Sequence, residues 1–409
     1  MITELFLWVS AALMVPALAF ALYRPLLSVL PRRPQRAPSA PGPEGPLSCA
    51  LVTISTHADR ALEDKLVELV ALAEALAIDE VFVGLDGGEL PPDTPARAGG
   101  VRVRWIHVVP RQGKNAVLNK IREAASTDVL VFTDVDARVE LEALRALLEH
   151  FSSPDIGAVT GRRLIVDDSA FGRGQTSYSE FDHAIRAREM ERLGSVTTCD
   201  GKLYAVRRSC FDELSPDSSD DIYIGLGAVE AGLRLTYEPA AAARIGRPAR
   251  DTRHELERRR RVTTRGLLAL WERRALFDPR RYGRYSVALL FNKLLRRLAA
   301  PGLLLSLVTL GFALIAALAS GRIEPPGVLL LLAASVLAVV GLVLVSRGRA
   351  GALGYYAIGV LGMSLGVWDY LRGRRVSVWE PVKQEIDEAA QPASSPPSSG
   401  ISPGSTRTP

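Results

Sequence analysis

Apolar positions are unevenly spread along the chain. Residues 2–22 are almost wholly apolar, interrupted only by Thr3, Glu4, Ser10 and Pro16, and residues 303–320 and 328–345 form two further runs. Each is near the length that crosses a hydrocarbon core. Between these runs the pattern shortens. Residues 50–55 are a brief β-branched apolar stretch, 60–77 repeat at helical spacing, and 80–85 are again apolar, ending at Asp86, Gly87 and Gly88. Residues 101–108 read as a third strand, 115–125 as a helix and 128–133 as a fourth strand. Strand alternating with helix predicts an α/β domain whose mostly parallel sheet carries helices on both faces. Ligands of such sheets bind beyond the carboxyl ends of the strands.

The flanks of the first apolar run decide its type. Ala17, Ala19 and Ala21 offer a small-residue cleavage pattern, but no Lys or Arg precedes the run, whereas Arg24, Arg32, Arg33 and Arg36 follow it. That is the wrong flank for a signal peptide, so an uncleaved anchor is expected, with Met1 outside and the middle of the chain cytoplasmic. The expected organisation is an anchor at 1–30, a Pro-rich linker at 31–46, an α/β domain at 47–255, basic amphipathic interfacial helices at 256–297, a transmembrane region at 298–372 and a cytoplasmic, disordered Ser/Pro-rich tail at 373–409. Residues 352–370 are punctuated by glycine. If they crossed the membrane, Arg372, Arg374, Arg375 and Lys383 would fall outside, so a re-entrant or interfacial segment is expected instead.

Composition changes this picture only at its margins. The 409 residues carry a net charge of +5, with many arginines beside the apolar runs. Such charge suits anionic lipid headgroups, and no nucleic-acid-binding module accompanies it. Cys49, Cys199 and Cys210 are odd in number and stand at no metal spacing, which fits a reducing compartment. His57, His107, His150, His183 and His254 show no zinc-type clustering.

Candidate chemistry is concentrated at residues 130–136, LVFTDVD, where an apolar run ends in Asp134 and Asp136. Paired acids at a strand end can hold a hard divalent cation, which shares oxygen ligands with a substrate's phosphates. They can equally be solvated turn residues.

Six segments then recur in order. They are VTISTHAD at 52–59, GLDGG at 84–88, RQGKNAVLN at 111–119, VFTDVD, TCDGKLYAVRR at 198–208 and SDDIYIGLGAVEAGLR at 219–234. Their order and spacing resemble the family 2 glycosyltransferases, bacterial membrane-bound GT-A enzymes that include cellulose, hyaluronan and poly-N-acetylglucosamine synthases. The resemblance implies a GT-A, Rossmann-like domain with transmembrane helices. It places Thr56 and Asp59 in the nucleotide-contacting loop, Asp86 at base and ribose, Lys114 and Asp134 near the donor, and Mg2+ or Mn2+ on Asp136. Gly201 and Asp220 fall on the acceptor side, and Asp221 takes the place of the catalytic base. Arg258 and Arg261 match a truncated RxxRW element whose Trp is absent here, the position being Val262. That departure tells against processive polymerisation. The first loop also departs, with Ser55 and Ala58 where Pro and Asn are usual.

Plainer readings stand beside these. Lys114 and Asn115 can simply open a helix, Ser219 to Asp221 can cap one, and Arg258, Arg261 and Arg265, on one helical face, can bind headgroups. The expected function is inverting transfer of a sugar from a nucleoside-diphosphate donor, a UDP-sugar, to a polysaccharide or lipid-linked acceptor at the bacterial inner membrane. The expected partners are donor, acceptor, membrane lipids and export-complex subunits, with no nucleic acid. The competing expectations are a non-processive polyprenyl-phosphate sugar transferase and a catalytically silent subunit of an export complex.

Overall fold

The computed structural model describes residues 2–32, 47–91, 93–167, 169–246, 251–321 and 351–375. The expected span at 328–345, most of the Pro-rich linker and the Ser/Pro-rich tail lie outside the described residues.

The strands are β1 (Cys49–Ser55), β2 (Glu80–Asp86), β3 (Arg97–Ala98), β4 (Val101–Val108), β5 (Val129–Thr133), β6 (Ala137–Val139), β7 (Ile156–Ile165), β8 (Leu203–Arg207) and β9 (Arg234–Ile245). They form one sheet in the order β3-β4-β2-β1-β5-β8-β7-β9-β6. The four strands β4-β2-β1-β5 run parallel, as the strand–helix alternation requires. Beyond β5 the sheet is mixed: β8 is antiparallel to both β5 and β7, and β7 pairs parallel with β9. Both faces are buried. Ala50, Val52, Leu130 and Phe132 point into one core and Leu51, Val129 and Val131 into the other, which is the two-residue period of a covered strand.

Helix α2 (Arg60–Ala75) and α4 (Leu141–Glu149) cover one face through Leu69, Leu72, Leu144 and Leu147. On the other lie α3 (Lys114–Ala124) and α6 (Asp220–Glu230), through Val117, Ile121, Ile224 and Leu226. Helix α7 (Thr252–Glu272) adds Ala269 and Leu270 to this second core.

Helix α1 (Ile2–Val29) packs along α10 (Arg296–Ala319), with Phe6 stacked on Phe312 at 5.7 Å and Ser10 Oγ donating to the Ser306 carbonyl at 3.1 Å. Two short helices, α8 (Pro279–Tyr282) and α9 (Arg284–Leu289), and a π-helical turn (Leu290–Leu295) lead into α10. Among the described residues, two helices are long and apolar enough to cross a membrane, Ile2–Val29 and Arg284–Ala319.

A long helix α5 (Ala170–Leu193) links sheet and apolar helices. Its Glu189, fully buried, accepts from Tyr23 Oη of α1 at 2.6 Å, from Asn292 Nδ2 at 2.8 Å and from the Thr197 backbone N–H at 3.0 Å. The glycine-punctuated segment forms α11 (Gly351–Leu371), which lies along α7. A Cβ at Gly366 would stand 2.5 Å from the Arg260 carbonyl oxygen, so glycine is what allows the helices to approach. Asp369, buried near the end of α11, pairs with Arg260 of α7.

Candidate active site

Strand β5 ends at Thr133 and delivers Asp134 and Asp136 beyond the sheet. Because β8 pairs antiparallel with Thr133 opposite Leu203, the residue preceding β8 arrives beside these acids. That residue is Lys202. Its Nζ lies 2.7 and 2.8 Å from the two Asp136 oxygens and 3.0 Å from Asp134 Oδ2. A second lysine, Lys114 at the start of α3, sits 3.1 Å from Asp134 Oδ1 and 2.8 Å from Asp220 Oδ2. Burial pushes the Asp134 carboxyl up, but the two ammonium groups outweigh it and hold the group well below the usual carboxylate range.

The acids from β5 fit a divalent cation: two carboxylates, hard oxygen donors, already converge on one cationic point. Among the described residues no third His, Cys, Asp or Glu joins them, so a bound ion would complete its ligand set with phosphate oxygens and water.

Asp221 is set differently from its neighbour. Helix α6 opens with both aspartates, but the Ser219 hydroxyl does not close the helix end; it donates to Asp221 Oδ1 at 2.6 Å. Burial and the adjacent Asp220 charge raise the Asp221 carboxyl above its ordinary value, against the Ser219 hydrogen bond. For Asp220, burial is outweighed by Lys114 and Arg265, which lower it. The two neighbouring carboxyls are thus shifted in opposite directions by their surroundings.

A cleft of about 370 Å3 opens over this group and is lined by Thr56, Asp86, Lys114, Asp134, Asp136, Gly201, Lys202, Asp220, Asp221, Arg258 and Arg261. Ten of the eleven site residues expected from the sequence therefore meet in one place, together with Lys202. Asp59 is the exception. It lies outside this lining, and its carboxylate accepts from the Leu62 backbone N–H at 3.2 Å as the N-cap of α2. Asp86 is 2 % exposed, and its carboxylate is taken up by the backbone N–H groups of Gln112 and Gly113 at 2.8–3.0 Å. It shapes the turn into α3, where Gly113 has a φ of 99° that favours glycine. A Cβ at Gly201 would lie 3.5 Å from Asp221 Oδ2, ordinary contact, so the protein's own packing does not demand glycine there. Arg258 is bound by Glu255 at 2.8 and 2.9 Å. Burial, with Arg265 and Arg258 nearby, pushes Arg261 down to about 10.

Three residues with structural claims on the site lie within the quoted motifs but were given no place in the site by sequence. Lys202 is brought in by an antiparallel register. Asn115, 1 % exposed, donates to the carbonyls of Ser215 and Ser218 at 2.7 and 2.9 Å and so holds the loop before Asp220. Asp200 is buried between Arg163 (2.9 Å) and Arg186 (3.4 Å) and accepts the Lys202 backbone N–H at 3.2 Å.

The family described as glycosyl transferase family group 2 has a model that matches residues 129–346. The pre-mycofactocin glycosyltransferase of Mycobacterium tuberculosis is 27 % identical over 170 residues, 39 % of this chain and 36 % of that protein. The poly-beta-1,6-N-acetyl-D-glucosamine synthase of Staphylococcus aureus is 28 % identical over 144 residues, 34 % of this chain and 35 % of that one. The chain thus spans 36 % and 35 % of the length of these two curated relatives. Among solved structures, the mannosyltransferase PcManGT from Pyrobaculum calidifontis, in complex with GDP-Man and Mn2+, is similar in fold at a TM-score of 0.64 and 17 % identity, over 90 % of this chain and all of that one.

Proposed function

The chain belongs to glycosyl transferase family group 2 and has its GT-A fold, and from that premise we propose that it transfers a sugar from a nucleoside diphosphate to a hydroxyl acceptor with inversion. The observation that carries the reading is the position of Asp221: it borders both the donor cleft and a second cavity, with its carboxyl raised towards the working range.

In this mechanism the acceptor oxygen attacks the anomeric carbon on the face opposite the diphosphate. The bond from that carbon to the phosphate oxygen breaks, its electron pair leaves with the nucleoside diphosphate, and the hydroxyl proton passes to Asp221. A single displacement of this kind inverts the centre. Asp134 and Asp136 would hold Mg2+ or Mn2+, which when bound supplies Lewis-acid neutralisation of phosphate charge. Lys114 and Lys202 face the same region and add positive charge where the leaving group develops negative charge. Arg261 and Arg265, also in the cleft lining, can receive the outgoing diphosphate.

A UDP-sugar donor and a polysaccharide or lipid-linked acceptor are the substrates proposed. The synthase among the relatives supports such a glycan acceptor, while the GDP-Man neighbour leaves GDP-sugars in contention. Two apolar helices and the flanking arginines support a place in the bacterial inner membrane, with the catalytic domain on the cytoplasmic side and residues 352–370 re-entrant or interfacial. Incubating membranes with a panel of labelled nucleotide sugars and Mg2+ or Mn2+ tests the reading. Label should enter a product in wild type and not in Asp221→Asn; equal incorporation by the variant would sink the base assignment.

A further inference from the structure

Beyond Asp221 lies a second cavity of about 160 Å3, joined to the donor cleft through shared walls at Arg163, Ser219, Asp221, Arg258 and Val262. Its other walls come from the end of β7, α5, the segment before β8, α6, α7, the turn before α10, α10 itself and α11. Seven of its lining residues are Lys or Arg and three are Asp, so it is strongly cationic.

Most of these cations already have partners. Asp200 engages Arg163 and Arg186, Asp182 engages Arg296 at 2.7 Å, and Glu255 engages Arg258 and Arg259 at 2.8 and 2.7 Å. Lys293 and Arg297 are different. Among the described residues neither has a carboxylate within ion-pair distance, although Lys293 is 5 % exposed and Arg297 donates only to the Lys293 carbonyl, at 2.8 Å. Both stand on the helix Arg284–Ala319, ahead of its apolar run at 303–320, where burying a cation without a paired carboxylate is costly. Gly266 of α7 makes room for one of them, since a Cβ there would lie 2.4 Å from Arg297 Nη2.

Two more groups in the same lining await a partner. Among the described residues the Gln175 amide, 1 % exposed, has no hydrogen-bond partner at either its oxygen or its nitrogen, and Arg296 Nη2 has none either. Buried polar groups in native proteins are nearly always satisfied. Tyr178 reports the local potential: burial pushes its phenol up, but Arg296 and Arg259 outweigh this and bring it down to about 8.

We propose that this cavity seats a phosphate ester carried by the acceptor, with Lys293 and Arg297 supplying charge and the Gln175 amide a hydrogen bond, so that the acceptor's reacting oxygen is presented at Asp221. The inference rests on the sugar-transfer reading above and names its acceptor class. Lipid phosphates and water-soluble phosphates share the required group.

The test uses the full chain in phosphatidylcholine nanodiscs. Thermal unfolding is followed with inorganic phosphate, with a polyprenyl phosphate doped into the bilayer, and with the same polyprenol lacking phosphate. The phosphate-bearing probes should raise Tm and the bare polyprenol should not. In Lys293→Met and Arg297→Met the apparent Kd for phosphate should rise about tenfold or more, with Lys293→Arg restoring it, while UDP and GDP bind in the donor cleft as in wild type. Stabilisation by the doped lipid alone assigns the site to a lipid acceptor; stabilisation by inorganic phosphate alone assigns it to a soluble one. Equal stabilisation by bare polyprenol, or unchanged phosphate binding in both Met variants, overturns the proposal. If nucleotides bind and no phosphate probe does, this proposal alone fails. If neither UDP nor GDP binds to wild type, the sugar-transfer reading fails with it.

Discussion

Lys202→Met should make the protein bind Mn2+ more tightly in the absence of any sugar donor. The ammonium group lies 2.7 and 2.8 Å from the Asp136 oxygens and 3.0 Å from Asp134, the position a cation shared by the two acids would contest. A charge-assisted hydrogen bond contributes roughly 1.5–3 kcal/mol when shielded. Exposure lowers that for Asp136, whose side chain is 46 % accessible, towards the value below about 1 kcal/mol found for surface pairs. Displacing the lysine from both acids therefore costs about 2 kcal/mol, and removing it should lower the Kd for Mn2+ about thirtyfold, at 1.4 kcal/mol per factor of ten. Electron paramagnetic resonance of the free aquo ion, titrated against purified protein without nucleotide, measures this directly. With donor and acceptor present the same variant should turn over more slowly, because one positive charge facing the diphosphate is gone. A Kd for Mn2+ that is unchanged or weaker in Lys202→Met would refute the idea that lysine and metal compete for these carboxylates.

Asp221→Asn should lower the transfer rate by about 10²–10⁴-fold with nucleotide binding intact. In wild type kcat/KM should fall on acidification with an apparent pKa above the ordinary aspartate value of about 4, as the raised carboxyl requires. Since the folded-state pKa is the higher one, the stabilising contribution of the protonated group is present below the unfolded pKa and lost as pH rises through the folded pKa. The Asn variant should then melt above wild type at neutral pH, the gap closing towards pH about 4. Asp200→Ala has the opposite sign: burial raises this carboxyl, Arg163 and Arg186 outweigh that and lower it, and its removal takes the carboxylate from Arg163 while Arg186 keeps Asp182 at 3.0 Å, a loss of about 1.5–3 kcal/mol read as a fall in Tm. Gly366→Ala puts a Cβ 2.5 Å from the Arg260 carbonyl oxygen and 2.7 Å from Thr263 Cβ, so α11 must shift from α7 at a cost of about 1–3 kcal/mol. A chemical denaturation midpoint equal to wild type would contradict that packing.

The first half of the sheet was readable because its strands are short, apolar and bounded by glycine and charge. The expected strand at 101–108 and the observed Val101–Val108 coincide, and the helix expected at 60–77 ends two residues earlier, at Ala75. The second half was not, since β7 and β9 mix buried positions with Arg162, Arg163 and Arg244, and their pairing is a matter of long-range register. Asp59, matched to the nucleotide-contacting loop by the family resemblance, is the N-cap of α2. Lys202 stayed hidden because no local pattern marks it. It lies within a quoted motif, but only the antiparallel partnership of β5 and β8 sets it against acids nearly seventy positions earlier in the chain, a separation of 66 residues in the case of Asp136.

The Glu189 hub bears on how the protein can be dissected. Its carboxylate draws donors from α1, from the turn before α10 and from Thr197, five residues ahead of Lys202. Trimming the chain to a fragment beginning near Leu47 would delete Tyr23 and leave a fully buried carboxylate short of a donor. A fragment made for crystallisation therefore needs Glu189 neutralised as well as α1 removed. In such a fragment Asn292, leading into α10, still reaches Thr197 at 2.9 Å, so of the two ties between the segment before Lys202 and the apolar helices only the one to α1 is cut.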